Sequence, residues 1–114
     1  MEKTVNRVEI MGTVGLDPRI TTLEDGRQVL RASVATEDGY KDRSGDWKYE
    51  TTWHNIVAWS GKEMPDFAEI KKGKRVVVQG KIKNRSYEGR DGQTKYAYEV
   101  LAFSVKLLHE EESD

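Results

Sequence analysis

The sequence predicts an all-β fold, a five-stranded Greek-key barrel with one short helix between its third and fourth strands. Three observations carry that expectation. β-Branched residues dominate the apolar set, with eleven Val and five Ile against six Leu, a bias that favours strands over helices. Apolar side chains alternate with polar ones at period two in separate segments along the chain. The resulting order is β-β-β-α-β-β, with one long polar stretch before the third strand and another between the fourth and fifth, the arrangement of a Greek-key barrel. A generic β-sandwich uses the same alternation and stays open as the alternative.

The first strand runs from Asn6 to Val14, where Val8, Ile10, Gly12 and Val14 alternate with Glu9, Met11 and Thr13. Gly15-Leu16-Asp17-Pro18 breaks it. After the turn signal Glu24-Asp25-Gly26, a second strand sets Leu30, Ala32, Val34 and Thr36 against Arg31, Ser33 and Ala35. Residues Glu37 to Glu50 are polar, with Tyr40 and Trp47 embedded, and read as a long loop or a hairpin tip. The third strand, Thr51 to Trp59, puts Trp53, Asn55, Val57 and Trp59 on one face and His54, Ile56 and Ala58 on the other. Between Gly61 and Lys72, Met64, Phe67, Ala68 and Ile70 recur at helical spacing, with Gly73 as a C-cap, so the short helix is placed there. The fourth strand is Lys74 to Lys83. A charged hairpin from Asn84 to Gln93, turning at Asp91-Gly92, leads to the fifth, Thr94 to Leu108. The barrel is of the OB type, with a domain over residues 1–108 and a short acidic tail over 109–114.

The 114 residues and 13.1 kDa fit one domain. The absence of cysteine excludes a disulfide framework and thiolate metal sites. There is no apolar run near ~20 residues and no apolar signal-peptide core at the start of the sequence, so neither a membrane association nor export is expected, and a cytoplasmic location is. The apolar fraction is low, at 36%; a thin core gains by assembly with further copies.

The formal net charge of −1 argues at first against a polyanionic partner, but it is a sum over a polarised chain. Residues 71–95 carry nine Lys or Arg and only two Asp or Glu. Nearly half of the cations thus fall in under a quarter of the sequence. Aromatic residues accompany them. Trp53 and Trp59 share a strand face, while Tyr40, Trp47 and Tyr87 lie in polar segments with no core to fill. Lys41, Arg43, Lys48, Lys81, Lys83, Arg85 and Arg90 lie among them. Cations that follow phosphates and π-faces that stack on splayed bases are what a single-stranded nucleic acid requires. Taken alone, Trp53 and Trp59 fit a barrel core equally well, Trp47 fits a hairpin cap, and the cations fit a solvated face.

Other signals are weak. Gly12-Thr13-Val14-Gly15 has the spacing of a nucleic-acid-clamping GXXG loop but ends a strand instead of joining two helices. Asn84-Arg85-Ser86 spells a glycosylation sequon, which requires secretion. His54 and His109 are far apart, and no metal-ligating cluster, phosphate-cradling loop or nucleophile-base pair stands out. No enzyme activity, cofactor or metal is expected.

Six blocks in order resemble the bacterial single-stranded DNA-binding proteins over Val5 to Leu108. They are Val5-Asn6-Arg7-Val8 leading to Gly12 through Pro18, Ala35-Thr36, Thr52 through Trp59, Lys71-Lys72-Gly73-Lys74, Val76 through Gly80, and Lys83 through Tyr87 with Asp91 through Tyr96. The resemblance implies an OB fold, a homotetramer, and a cytoplasmic, nucleoid-associated role coating single-stranded DNA in DNA replication, recombination and repair. It places base-stacking aromatics on Tyr40, Trp53, Trp59 and Tyr87, phosphate contacts on Lys41, Lys72, Lys83 and Arg85, and a subunit-interface histidine on His54. Asn55 and Thr21 stand where relatives often carry Arg, and Tyr40 and Tyr87 where Trp is commoner. Relatives usually continue to an acidic tip ending in Pro-Phe that docks replication and repair proteins; this sequence ends at Asp114 without one, as expected of a removed tail or a tailless form. Two other OB readings stay open, a primosome-type protein-interaction module and an RNA chaperone.

Overall fold

The computed structural model describes residues 2–109; of the acidic tail expected over 109–114, residues 110–114 lie outside them. Six strands form: β1 Val8–Val14, β2 Arg19–Thr22, β3 Gln28–Lys41, β4 Trp47–Trp59, β5 Arg75–Glu88 and β6 Thr94–Leu108. Their hydrogen-bonded order is β1-β5-β6-β4-β3-β2, and β1 also pairs with β3 at Thr13↔Ala35 and Val14↔Val34. That second pairing closes β1, β5, β6, β4 and β3 into the five-stranded barrel. β2 is an added strand on β3, matched from Arg19↔Arg31 to Thr22↔Gln28. Among the described pairings only β4 with β6 is parallel, at Ile56↔Val100 through Ala58↔Ala102. The all-β barrel and its OB character match the sequence expectation.

Period-two alternation fills the interior. Ile10 and Val14 of β1, Leu30 and Val34 of β3, Ile56 and Ala58 of β4, Val76 and Val78 of β5, and Val100, Ala102 and Val105 of β6 form one buried cluster. Each alternate residue faces outward, so the phase of the core fixes the outer face.

The expected helix between the third and fourth barrel strands is a single 3₁₀ turn, Phe67–Glu69. Gly61 and Pro65 leave too few residues to nucleate an α-helix, whose first turn is costly to form. The i, i+3 spacing of Phe67 and Ile70 instead suits one tight turn, capped by the Asp66 carboxylate, which accepts from the Ala68 N–H at 3.0 Å. Phe67 is 1% exposed and Ile70 3%, and both join the core from the side of this connection.

The polar stretch from Glu37 to Glu50, expected as a long loop or a hairpin tip, is a hairpin, and the second is the hairpin expected from Asn84 to Gln93. β3 and β4 stay paired out to Lys41↔Trp47, and β5 and β6 out to Glu88↔Thr94, so two ribbons project from the barrel. The radius of gyration, 16.7 Å, exceeds the about 13 Å of a compact domain near this size for that reason. Three hairpins share one turn. In 23–27, 42–46 and 89–93 the first N–H donates to the last carbonyl, and the fourth residue, Gly26, Gly45 or Gly92, donates back to the first. Each of those glycines has φ between 79° and 89°, the left-handed residue that ends a three-residue hairpin loop.

Candidate nucleic-acid interface

The interface is built on the outward faces of β3 and β4. In β4, Ile56 and Ala58 are buried at 2% and 0%, while Trp53 and Trp59 stand out on the opposite face at 58% and 41% exposure. The choice between core and surface for these tryptophans is thereby decided for surface. Trp53 lies against the end of β1: a side chain at Gly15 would run into its ring. Trp59 is braced from one side by Arg27, whose guanidinium carbon sits 5.1 Å from the ring centroid. Asp25 fixes that arginine through its carboxylate, 2.6 Å from Nε. The Arg27 backbone N–H and guanidinium, both donating to it, hold the Asp25 carboxyl below its ordinary value.

Two grooves flank this face. One, about 650 Å³, is lined by Trp53, Thr51, Ala35, Lys72, Gly73 and Arg75. Its floor is tied together by the Lys72 N–H donating to Asp17 at 2.9 Å and the Gly73 N–H donating to the Val14 carbonyl at 2.8 Å. The other, about 400 Å³, lies between β2, β3 and β4 on one side and β6 on the other, and gathers Arg19, Arg31 and Arg85 around Asn55 and Val57. Arg31 leans on Glu99 at 3.4 Å, an interaction at the long end of hydrogen bonding. The first groove thus sets Lys72 and Arg75 beside the Trp53 ring, and the second sets three arginines along the face between Trp53 and Trp59.

The expected site residues fall in three places. Trp53, Trp59, Lys72 and Arg85 lie on or beside the outer face of the barrel. Tyr87 is 45% exposed two residues beyond Arg85, on the same face of the β5–β6 ribbon as Lys83. Lys83 is paired in register with Glu99. Lys41 is on the β3–β4 ribbon, its ammonium 6.0 Å from the Trp47 ring centroid. Tyr40, 47% exposed, is opposite Lys48 and so projects from the other face of that ribbon than Trp53. His54 also belongs to that inner phase. It is half-buried, shares a 2.9 Å hydrogen bond between its Nε2 and Thr36 Oγ1, and lines a cleft with Ile82, Tyr98 and Val100.

Arg19, Arg27 and Arg31 were not among the sequence candidates. Arg31 carried a usable signal, since it shares the phase of Ser33 and Ala35, opposite the apolar set. Arg19 carried none: all four residues of β2 are exposed, and the strand shows no alternation.

Comparison with known proteins extends this picture. A model of the single-strand binding protein family matches residues 5–108. The "Single-stranded DNA-binding protein 1" of Chlorobaculum tepidum is 33% identical over 116 residues, covering 99% of this chain and 70% of that protein. The single-stranded DNA-binding protein of Neisseria meningitidis serogroup A is 35% identical over 107 residues, covering 92% and 60%. The chain therefore spans between 60% and 70% of the length of these two relatives. Among solved structures, a Plasmodium falciparum SSB in complex with single-stranded DNA superposes with a TM-score of 0.78 at 29% identity, covering 96% of this chain and 99% of that one. With a family model spanning every strand and a relative 33% identical over 99% of this chain, this chain belongs to the single-strand binding protein family.

Proposed function

We propose that the chain binds single-stranded DNA without strong sequence preference, stacking bases on Tyr40, Trp53, Trp59 and Tyr87 and neutralising phosphates with Lys41, Lys72, Lys83 and Arg85. The observation that carries the reading is the outer face of β4, where Trp53 and Trp59 are exposed on either side of Asn55 and Val57, which line a groove with three arginines, while Trp53 also lines a second groove with Lys72 and Arg75. Exposed indoles on a rigid strand lose little entropy when a base stacks on them, and each stack contributes about 1–3 kcal/mol whatever the base. Arg19 and Arg31 add cations to the groove that Arg85 lines. Family membership, and the single-stranded DNA held by the Plasmodium relative, support the same ligand.

The protein acts by binding and protecting exposed strands in replication, recombination and repair, with no reaction of its own, in a cytoplasmic, nucleoid-associated setting. Residues 1–108 are the binding domain and 109–114 an acidic appendage. The working unit is a homotetramer. The cleft beside His54, with Ile82 47% and Tyr98 68% exposed along it, supplies apolar surface for a neighbouring copy.

Titration of tryptophan fluorescence with oligo-dT tests the reading, with duplex of equal length and oligo-U as competitors. Quenching by oligo-dT that duplex fails to reverse is expected. Equal binding to duplex ends the proposal, and preference for oligo-U moves it to an RNA chaperone. Sedimentation of the free protein at four times the chain mass is expected for the tetramer.

A further inference from the structure

We propose that Trp47 and Tyr49, on the projecting half of β4, form an accessory stacking platform that extends the single-stranded DNA path off the barrel along the β3–β4 ribbon. This inference rests on the single-stranded DNA reading above. β3 and β4 keep one unbroken register from Val29↔Trp59 to Lys41↔Trp47, so Trp47, Tyr49, Thr51 and Trp53 all belong to one face of the ribbon. Trp47 is 61% exposed and Tyr49 70%, the latter more than either tryptophan of the barrel face. Aromatics this large and this bare at a ribbon tip have no folding role, since a two-stranded ribbon has no interior.

The geometry is that of a prepared surface. Gly39 lies opposite Tyr49, and a Cβ there would come within 3.1 Å of Tyr49 Cε1 and 3.7 Å of Trp47 Cε3. Both rings therefore lean over one bare stretch of backbone, each with one side on the ribbon and the other open. Alternate residues of a strand repeat every about 6.8 Å, so the two rings offer successive stacking positions ahead of Trp53.

Charge selects the ligand and the face. The aromatic face carries Lys41, whose ammonium lies over Trp47 at 6.0 Å, balanced by Glu37 opposite Thr51. The opposite face carries Asp38 directly across from Glu50, and its Lys48 is engaged by Asp42 at 4.0 Å. A polyanion meets a balanced charge on the first face, which is continuous with Trp53, and a net negative one on the second, where Tyr40 offers a single ring instead of a row. An apolar protein partner has no use for that asymmetry.

The test compares wild-type protein with W47A/Y49A and W47F/Y49F by anisotropy of labelled oligo-dT of about 8 and about 16 nucleotides, spanning the usual site size of one OB fold. Expected for W47A/Y49A is a loss of about 5- to 150-fold on the longer strand per stacked base removed. The shorter strand should bind unchanged, and W47F/Y49F should recover most of the loss. The salt slope should not change, because no phosphate contact is removed. Equal binding of W47A/Y49A and wild type to the longer strand overturns the platform while leaving the single-stranded DNA reading intact. Failure of wild type to bind either strand overturns both. A drop in sedimenting mass of W47A/Y49A, with the longer strand bound as before, assigns the face to contacts between copies and also overturns it.

Discussion

Trp53 owes its position to a residue that has no side chain. Because its ring occupies the space beside Gly15, Gly15→Ala should push the indole off the end of β1 without touching the core. The expected result is weaker oligo-dT binding, by up to the about 1–3 kcal/mol of one stacked base, with the unfolding midpoint nearly unmoved; denaturation and anisotropy on the same sample check it. Trp59 depends instead on charge. Asp25 has its carboxyl lowered from 3.8 by hydrogen bonds from Arg27, so its hold on the arginine is complete above about pH 3.8 and fades as pH falls through the lowered value. Trp59 emission should shift only under acid, and Asp25→Asn should produce that shift at neutral pH; emission insensitive to both discounts the brace. At this scale the sequence was partly legible. The phase of β4 put Trp53 and Trp59 on one face but left open which face is the core, and the burial of Ile56 and Ala58 settles that. The same phase in β3 pointed to Arg31, but a pattern read for its apolar members passes over the polar ones. Arg27 was illegible, since its role depends on the antiparallel pairing of β3 with β4, which brings it beside a residue 32 positions away.

At the scale of elements, the five barrel strands were readable because each has one wet and one dry face. Of the ribbons only the turns were legible, a hairpin at Asp91-Gly92 and a loop or hairpin tip over Glu37 to Glu50, and not the length of paired strand, because both their faces meet water and alternation disappears. The short helix was over-read for the opposite reason. Phe67, Ala68 and Ile70 have helical spacing, yet one 3₁₀ turn satisfies it, and burial of Phe67 and Ile70 rather than helix propensity holds the segment. That difference has a measurable consequence. Phe67→Ala should cost about 3–5 kcal/mol, the range for emptying a buried aromatic site, in equilibrium denaturation. Helix-favouring substitution at exposed Glu69 should change stability by less than about 0.5 kcal/mol. If the two changes are comparable, the segment is held by local propensity and not as a plug.

For the whole molecule, a net charge of −1 conceals a division of labour. Most of residues 71–95 is β5 and the turn after it, so the cation excess of that stretch becomes one side of a ribbon and one wall of a groove. Asp17 and Glu99 line that groove as well and Glu37 the other, fewer than the cations beside them, while like charges face each other away from the grooves at Asp38 and Glu50. Exposed charges farther away than a Debye length of about 8 Å are largely screened, so a strand lying in the groove responds to the charges within it and not to the net sum. Binding should therefore depend on salt as it does for a basic protein, with log affinity falling against log salt by about 0.7 for each phosphate neutralised on a single strand. Replacing Lys83 and Arg85 together with Gln should reduce the magnitude of that slope by about 1.4 if each holds one phosphate. The affinity loss should be the same for oligo-dT and oligo-dC, since phosphate contacts carry no base information. Lys62, on the connection after β4, serves as the control: Lys62→Gln removes one charge from the total, against two for the pair, but none from either groove, and its slope should equal that of the unaltered protein. If Lys62→Gln lowers the slope as much per charge as the ribbon substitutions do, the total charge and not its distribution sets the binding, and the polarised arrangement has no part in it.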